Sequence, residues 1–190
     1  TDPKSKIMID EKNIKITDKG FFVFGVSKDR KNDIQITVIT EGKKNIIFKK
    51  VYKRKYKIQR IDGLPSKMVT PPKEVLKRIK NDNKKIVKAR AIESDLSFFT
   101  QNFIMPIDNS IITGVYGSQR ILNGKPRSPH YGLDFAGKEG TPIKAMADGI
   151  VTLAENDLYF TGGTLIFDHG HGISTLYMHL KDIKVSKNQK

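Results

Sequence analysis

All four histidines of this 190-residue chain lie in its second half, at His130, His169, His171 and His179. Imidazoles gathered in this way call for a metal or acid–base explanation. His130 precedes Asp134 by four residues in His130-Tyr131-Gly132-Leu133-Asp134. Imidazole nitrogen and carboxylate oxygen bind zinc at about 2.0 to 2.2 Å, and a catalytic zinc site needs three such ligands and one open position for water. His169-Gly170-His171 would place two imidazoles on one side of an extended backbone, while Gly170 and Gly172 equally suit a tight turn between strands. His179 lies in Thr175-Leu176-Tyr177-Met178-His179-Leu180. Read as a strand, this run turns Tyr177 and His179 to one side, towards a cavity, and leaves Leu176, Met178 and Leu180 to pack behind. A lone histidine is as readily a hydrogen-bonded core residue. The chain has no cysteine, which excludes disulfides and thiolate metal sites, so any metal must be held by His, Asp or Glu.

The elements that would position these groups are mostly strands. Before Thr70 the runs Ile7-Met8-Ile9, Ile14-Lys15-Ile16, Phe21-Phe22-Val23-Phe24, Ile34 to Val38 and Ile46-Ile47-Phe48 alternate with turn chemistry at Asp18-Lys19-Gly20, Lys31-Asn32-Asp33 and Glu41-Gly42. The pattern predicts a small amino-terminal β-sandwich-like domain over residues 1–70. Lys49 to Lys57 interleaves Tyr52 and Tyr56 with cations, as a nucleic-acid stripe would. Its alternation favours a half-buried strand. Pro71-Pro72 opens a helical connector over 71–100 in which Val75, Leu76 and Ile79 share a face, with Glu74 early and lysines later as the helix dipole prefers. From about Ser94 glycine becomes dense, and Gly149-Ile150-Val151 and Thr164 to Phe167 predict strands of a second, antiparallel β domain over 101–190. The fold class is therefore mainly β.

Thirty-five basic and twenty acidic residues give a net charge of +15. That charge attracts nucleic acid and anionic cell envelopes alike and does not choose between them. No apolar run of about 18 residues and no charged-then-apolar leader is present.

These signals fall in an order that resembles one family. Gly114-Val115-Tyr116-Gly117-Ser118-Gln119-Arg120, followed by Asn123 to Asp134, looks like the approach to the His-x-x-x-Asp metal motif of the lysostaphin-type zinc peptidases that cut bacterial peptidoglycan. Gly140-Thr141-Pro142-Ile143 with Ala147-Asp148-Gly149-Ile150-Val151 resembles that family's next strand pair. Asp168-His169-Gly170-His171-Gly172 and Thr175 to Leu180 resemble its Asp-His-Gly-x-Gly turn and Tyr-x-His-Leu strand. Upstream, Tyr56 to Pro65 and the Pro71-Pro72 helix are similar to Gram-negative members with a small β domain before the peptidase.

The resemblance implies an antiparallel β-sheet peptidase domain with an open groove, Zn2+ held by His130 and Asp134, and His179 assisting catalysis. It implies a turn role for His169 and no ligation by His171, where other members often carry Asn. The family's third ligand belongs to a later His-x-His motif, so the domain is expected to be incomplete at Lys190 and to hold zinc weakly. Peptidoglycan is the implied partner, a regulatory envelope protein a further one, and nucleic acid is not expected. The implied location is the periplasm or cell envelope. A degenerate domain that binds peptidoglycan, or activates a partner hydrolase without cutting, is the alternative.

Overall fold

The computed structural model describes all residues from Thr1 to Lys190. The chain divides into two compact units, Thr1–Lys55 and Tyr56–Lys190. The expected boundary after residue 70 therefore falls inside the second unit.

The first unit is one four-stranded antiparallel sheet in the order β2-β1-β3-β4, built from β1 (Lys6–Ile9), β2 (Lys12–Ile14), β3 (Ile34–Thr40) and β4 (Lys43–Lys49). Two tight hairpins set its register. Asp10 and Glu11 have φ of 47° and 69°, and Glu41 and Gly42 have 51° and 77°. Two consecutive left-handed residues are what a two-residue type I′ turn requires, and that turn matches the twist of paired strands. Ile9, Ile34 and Ile36 form the buried centre, with Phe22, Phe24 and Val51 packed on it. The expected strand Phe21–Phe24 does not form. The turn bond from Thr17 N–H donates to Phe21 O at 2.8 Å, and the segment then lays Phe22 and Phe24 on the core without joining a ladder. Aromatic side chains thus supply the layer that a second sheet supplies in a sandwich. The strand expected over Lys49–Lys57 is also absent beyond Lys49.

The second unit opens with β5 (Ile58–Ile61), a short helix α1 (Ser66–Val69), a 3-10 turn and helix α2 (Leu76–Arg90). It continues through β6 (Ile112–Gly114), β7 (Gln119–Leu122), β8 (Lys125–Pro126) and β9 (Asp134–Phe135). It closes with three long strands, β10 (Ile150–Leu158), β11 (Gly162–Gly170) and β12 (Ile173–Leu180). These three pair antiparallel in chain order, while β5 pairs parallel with β7.

Helix α2 packs on the β10–β11 face. Ala89 joins the buried cluster of Leu153, Leu158 and Ile166, with Ile86 against it. Asp82 accepts a hydrogen bond from Tyr159 N–H at 2.9 Å, and Arg78 pairs with Asp157 at 2.7 Å. The buried stripe runs through Asp82, Ile86 and Ala89, and Val75 and Ile79 are half-buried at the same helical spacing; of the three residues expected on this face only Leu76 turns away, at 50% exposed. Apolar periodicity located the helix and most of its buried face, and Asp82 adds a polar bond on the same stripe. No helix is long and apolar enough to cross a membrane.

One carboxylate of the first unit carries a pH dependence. Asp10 accepts from Arg30 and, at 3.1 Å, from Gln35 N–H. The Arg30 guanidinium, helped by the Gln35 amide, holds its carboxyl below the ordinary value of 3.8. A depressed carboxylate adds stability that is fully present above the unfolded-state pKa, about 3.9, and is lost as pH falls through the lower folded value. Asp10→Asn is therefore expected to lower the stability of this unit near neutral pH and to flatten its loss below about pH 4, as read by urea midpoints across an acid series. An unchanged acid profile would remove Asp10 from this role.

Candidate metal centre

The centre is built where β9 returns beside β6. Their register sets Ile112 opposite Phe135 and Gly114 opposite Asp134, with an irregularity between. A Cβ on Gly114 would lie 2.2 Å from Asp134 Oδ2. A side chain at this position would displace the carboxylate from where it stands.

His130 is fixed through its main chain. Its N–H donates to Ser118 O at 2.8 Å, and its carbonyl accepts from Gly117 N–H at 2.7 Å. Gly117 has φ +86°, and an added Cβ would strike the Tyr56 ring at 2.1 Å. The ring of Tyr56 thus closes directly on the loop that carries His130.

The side chains complete the arrangement. His130 is buried, and its Nδ1 lies 3.3 Å from Val115 O. With Nδ1–H donated to that carbonyl, Nε2 turns its lone pair outward, as a metal-binding histidine held by an outer hydrogen bond requires. Nε2 stands 3.0 Å from Asp134 Oδ1. Two ligands at about 2.0 Å from one tetrahedral metal would sit about 3.3 Å apart. The pair therefore fits two positions of a zinc shell. Asp134 Oδ2 is bound by Arg120, whose Nε donates to Gln59 Oε1 at 3.2 Å, so Oδ1 is the oxygen left to face a metal.

No group of three His, Cys, Asp or Glu side chains converges anywhere in the chain. His130 and Asp134 are brought together, and His179 does not join them in such a group. His179 has φ +61°, and its N–H donates to Thr161 O at 2.8 Å. The β11–β12 register slips between Gly163/Leu180 and Leu165/Tyr177, which places both Met178 and His179 in a bulge. Tyr177 and Leu180 consequently enter one apolar cluster, while Met178 and His179 face solvent. The simple alternation expected for this strand fails there. A bulge re-aims side chains in this way beside many active sites.

His169 is fully buried within β11. Its Nδ1–H donates to Asp148 O at 2.6 Å, and its Nε2 accepts from the Thr175 hydroxyl at 2.8 Å. Both nitrogens are used, so this imidazole ties two segments together. His171 and Gly172, with φ of 51° and 76°, are the turn between β11 and β12. His171 is therefore not on an extended backbone beside His169, and it packs against Phe99 at 4.9 Å.

Arg120, Gln59 and Tyr56 were given no role by sequence reasoning. Arg120 stood inside the Gly114–Arg120 run that carried the resemblance, but nothing in that run paired it with a carboxylate fourteen residues on. A surface groove lies elsewhere, along Leu76, Ile79 and Val87 of α2. Of the metal pair, the His130 side chain is 8% exposed and that of Asp134 40%.

With this geometry in place, comparison with known proteins finds relatives for the last third of the chain. Residues 128–190 match the sequence profile of Peptidase family M23, and the resemblance to lysostaphin-type peptidoglycan endopeptidases is borne out over that stretch. The chain is 41% identical over 63 residues to peptidoglycan DD-endopeptidase ShyA of Vibrio cholerae serotype O1, covering 33% of this chain and 14% of that protein. It is 39% identical over 51 residues to the DD-carboxypeptidase/endopeptidase Mpg of Neisseria meningitidis serogroup B, covering 27% and 12%. The chain thus spans a small part of the length of these curated relatives. A solved Pseudomonas aeruginosa structure described as a candidate peptidase M23 superposes with a TM-score of 0.69 at 25% identity, covering 97% of this chain and 70% of that one. The mainly β fold is shared across nearly the whole chain.

Gly114→Ala tests how the backbone sets the site. The added methyl must push the Asp134 carboxylate off its position, so zinc affinity is expected to fall at least about tenfold, the usual cost of disturbing what orients a ligand. The circular dichroism spectrum should be retained. Unchanged zinc affinity by titration calorimetry would show that Gly114 does not set the carboxylate.

Proposed function

We propose that this chain carries the peptidase region of a zinc-dependent endopeptidase that hydrolyses stem peptides or peptide cross-bridges of bacterial peptidoglycan, acting in the periplasm or cell envelope. The observation that carries this reading is the 3.0 Å approach of His130 Nε2 to Asp134 Oδ1, inside the segment matched by Peptidase family M23. The name of ShyA, a peptidoglycan DD-endopeptidase, supplies the substrate class.

His130 and Asp134 would hold the zinc, each through one atom. The metal, when bound, supplies Lewis-acid polarisation of the scissile amide and a nucleophilic water at neutral pH. The residues of the chain do the rest. Val115 O and Arg120 fix the two ligands before substrate arrives, so little reorganisation remains at reaction. Tyr116 and Tyr131 stand edge to face with centroids 6.1 Å apart, and with exposed Leu133 they form an apolar lip beside the ligands. His179, exposed on its bulge, is free to hydrogen-bond the attacking water or the developing oxyanion. Groups in that position contribute about a hundredfold or more.

The test uses the natural full-length protein, with zinc content and muropeptide release from purified sacculi as readouts. His130→Ala and Asp134→Ala should lose both zinc and release, while His179→Ala should keep zinc and lower release by about a hundredfold or more. If the parent protein holds zinc and binds sacculi but releases nothing, the reading as a non-cutting binding domain replaces this one.

A further inference from the structure

The amino-terminal unit presents a surface that the proposed peptidase chemistry does not use. All seven residues of β4 are exposed, and no strand covers its outer edge. The register sets Ile47 opposite Ile36 of the buried core. Ile46 and Phe48, opposite Thr37 and Gln35, consequently turn to the other side of the sheet. Phe48 is 67% exposed, Tyr52 just beyond it 78% and Ile46 43%. From Lys43 to Lys55 the chain carries seven lysines and arginines and no carboxylate. Lys50 Nζ lies 5.6 Å above the Tyr52 ring.

We propose that β4 and the basic segment following it dock the amino-terminal unit onto an anionic lipid bilayer. The cations select a negatively charged surface, and they concentrate where large apolar side chains stand free. Aromatic rings with a polar tip settle at the lipid headgroup level, and lysine stems lie along apolar surface while their ammonium groups reach phosphates. A cluster of this size is the kind that binds anionic headgroups. Two other occupants fit less well. Strand addition by a protein is opposed by lysines along the open edge, which is how sheets discourage pairing. Single-stranded nucleic acid would use ring faces at successive bases, whereas Ile46 offers no stacking face. The inference stands apart from the zinc site and survives if that site proves inactive.

The test is co-sedimentation of the full chain with vesicles of phosphatidylglycerol and phosphatidylcholine, beside vesicles of phosphatidylcholine alone. Binding is expected only to the anionic vesicles, and added salt should weaken it. The triple change Lys44→Glu, Lys49→Glu and Lys53→Glu should reduce it about tenfold or more. Lys138→Glu with Lys184→Glu and Lys187→Glu, the same change in net charge at exposed sites of the other unit, should leave most binding intact. Phe48→Ser should reduce binding severalfold, and Tyr52→Ser, outside any strand, gives the same readout without disturbing the sheet. Equal losses from both triple variants would reduce the effect to overall charge and overturn the proposal. No sedimentation with anionic vesicles would also overturn it, as would a single-stranded oligonucleotide that displaces them at lower concentration.

Discussion

The candidate site depends on one close approach, that of the Asp134 carboxylate to the backbone of Gly114. There is no room for a side chain at that point. The approach exists because β6 and β9 pair with Gly114 directly opposite Asp134. The same loop that ends β6 then accepts and donates the main-chain bonds of His130 through Ser118 and Gly117. Both prospective ligands are thus positioned by backbone geometry, which costs little entropy to maintain, and their side chains need only small adjustments. Arg120 adds a charge-assisted bond that fixes which oxygen of Asp134 faces outward.

The surrounding architecture keeps that strand pair in place. β5 lies along β7 and brings Gln59 to Arg120 and Tyr56 onto Gly117, so the segment at the start of the second unit buttresses the site from behind. The three long strands and α2 form the larger core, and His169 joins the Asp148 loop to β12 across it. A fully buried imidazole with both nitrogens satisfied adds stability and order. Both of its ring nitrogens are already engaged, by Asp148 O and the Thr175 hydroxyl.

Much of this was legible in the sequence. The His130–Asp134 spacing and the wording around it pointed to a pair that the structure does bring together. The hairpin strands β1, β3 and β4 followed from alternation and from turn residues such as Glu41-Gly42. What escaped was whatever depends on long-range pairing. Phe21 to Phe24 has strand composition, but a turn bond diverts it from the ladder. The Lys49–Lys57 alternation has no partner strand to receive it. His179 was assigned a direction by a simple period of two, and a bulge removed that period. Arg120 and Gln59 acquire meaning only once β5, β7 and β9 are neighbours, which no local pattern announces.

The most direct test of the central claim is zinc X-ray absorption on the protein loaded with one equivalent of metal. The account predicts a nitrogen and oxygen shell that loses one imidazole in His130→Ala and is unchanged in His171→Ala and His169→Ala. A shell indifferent to His130 and altered by His171 would contradict it and move the metal to the turn between β11 and β12.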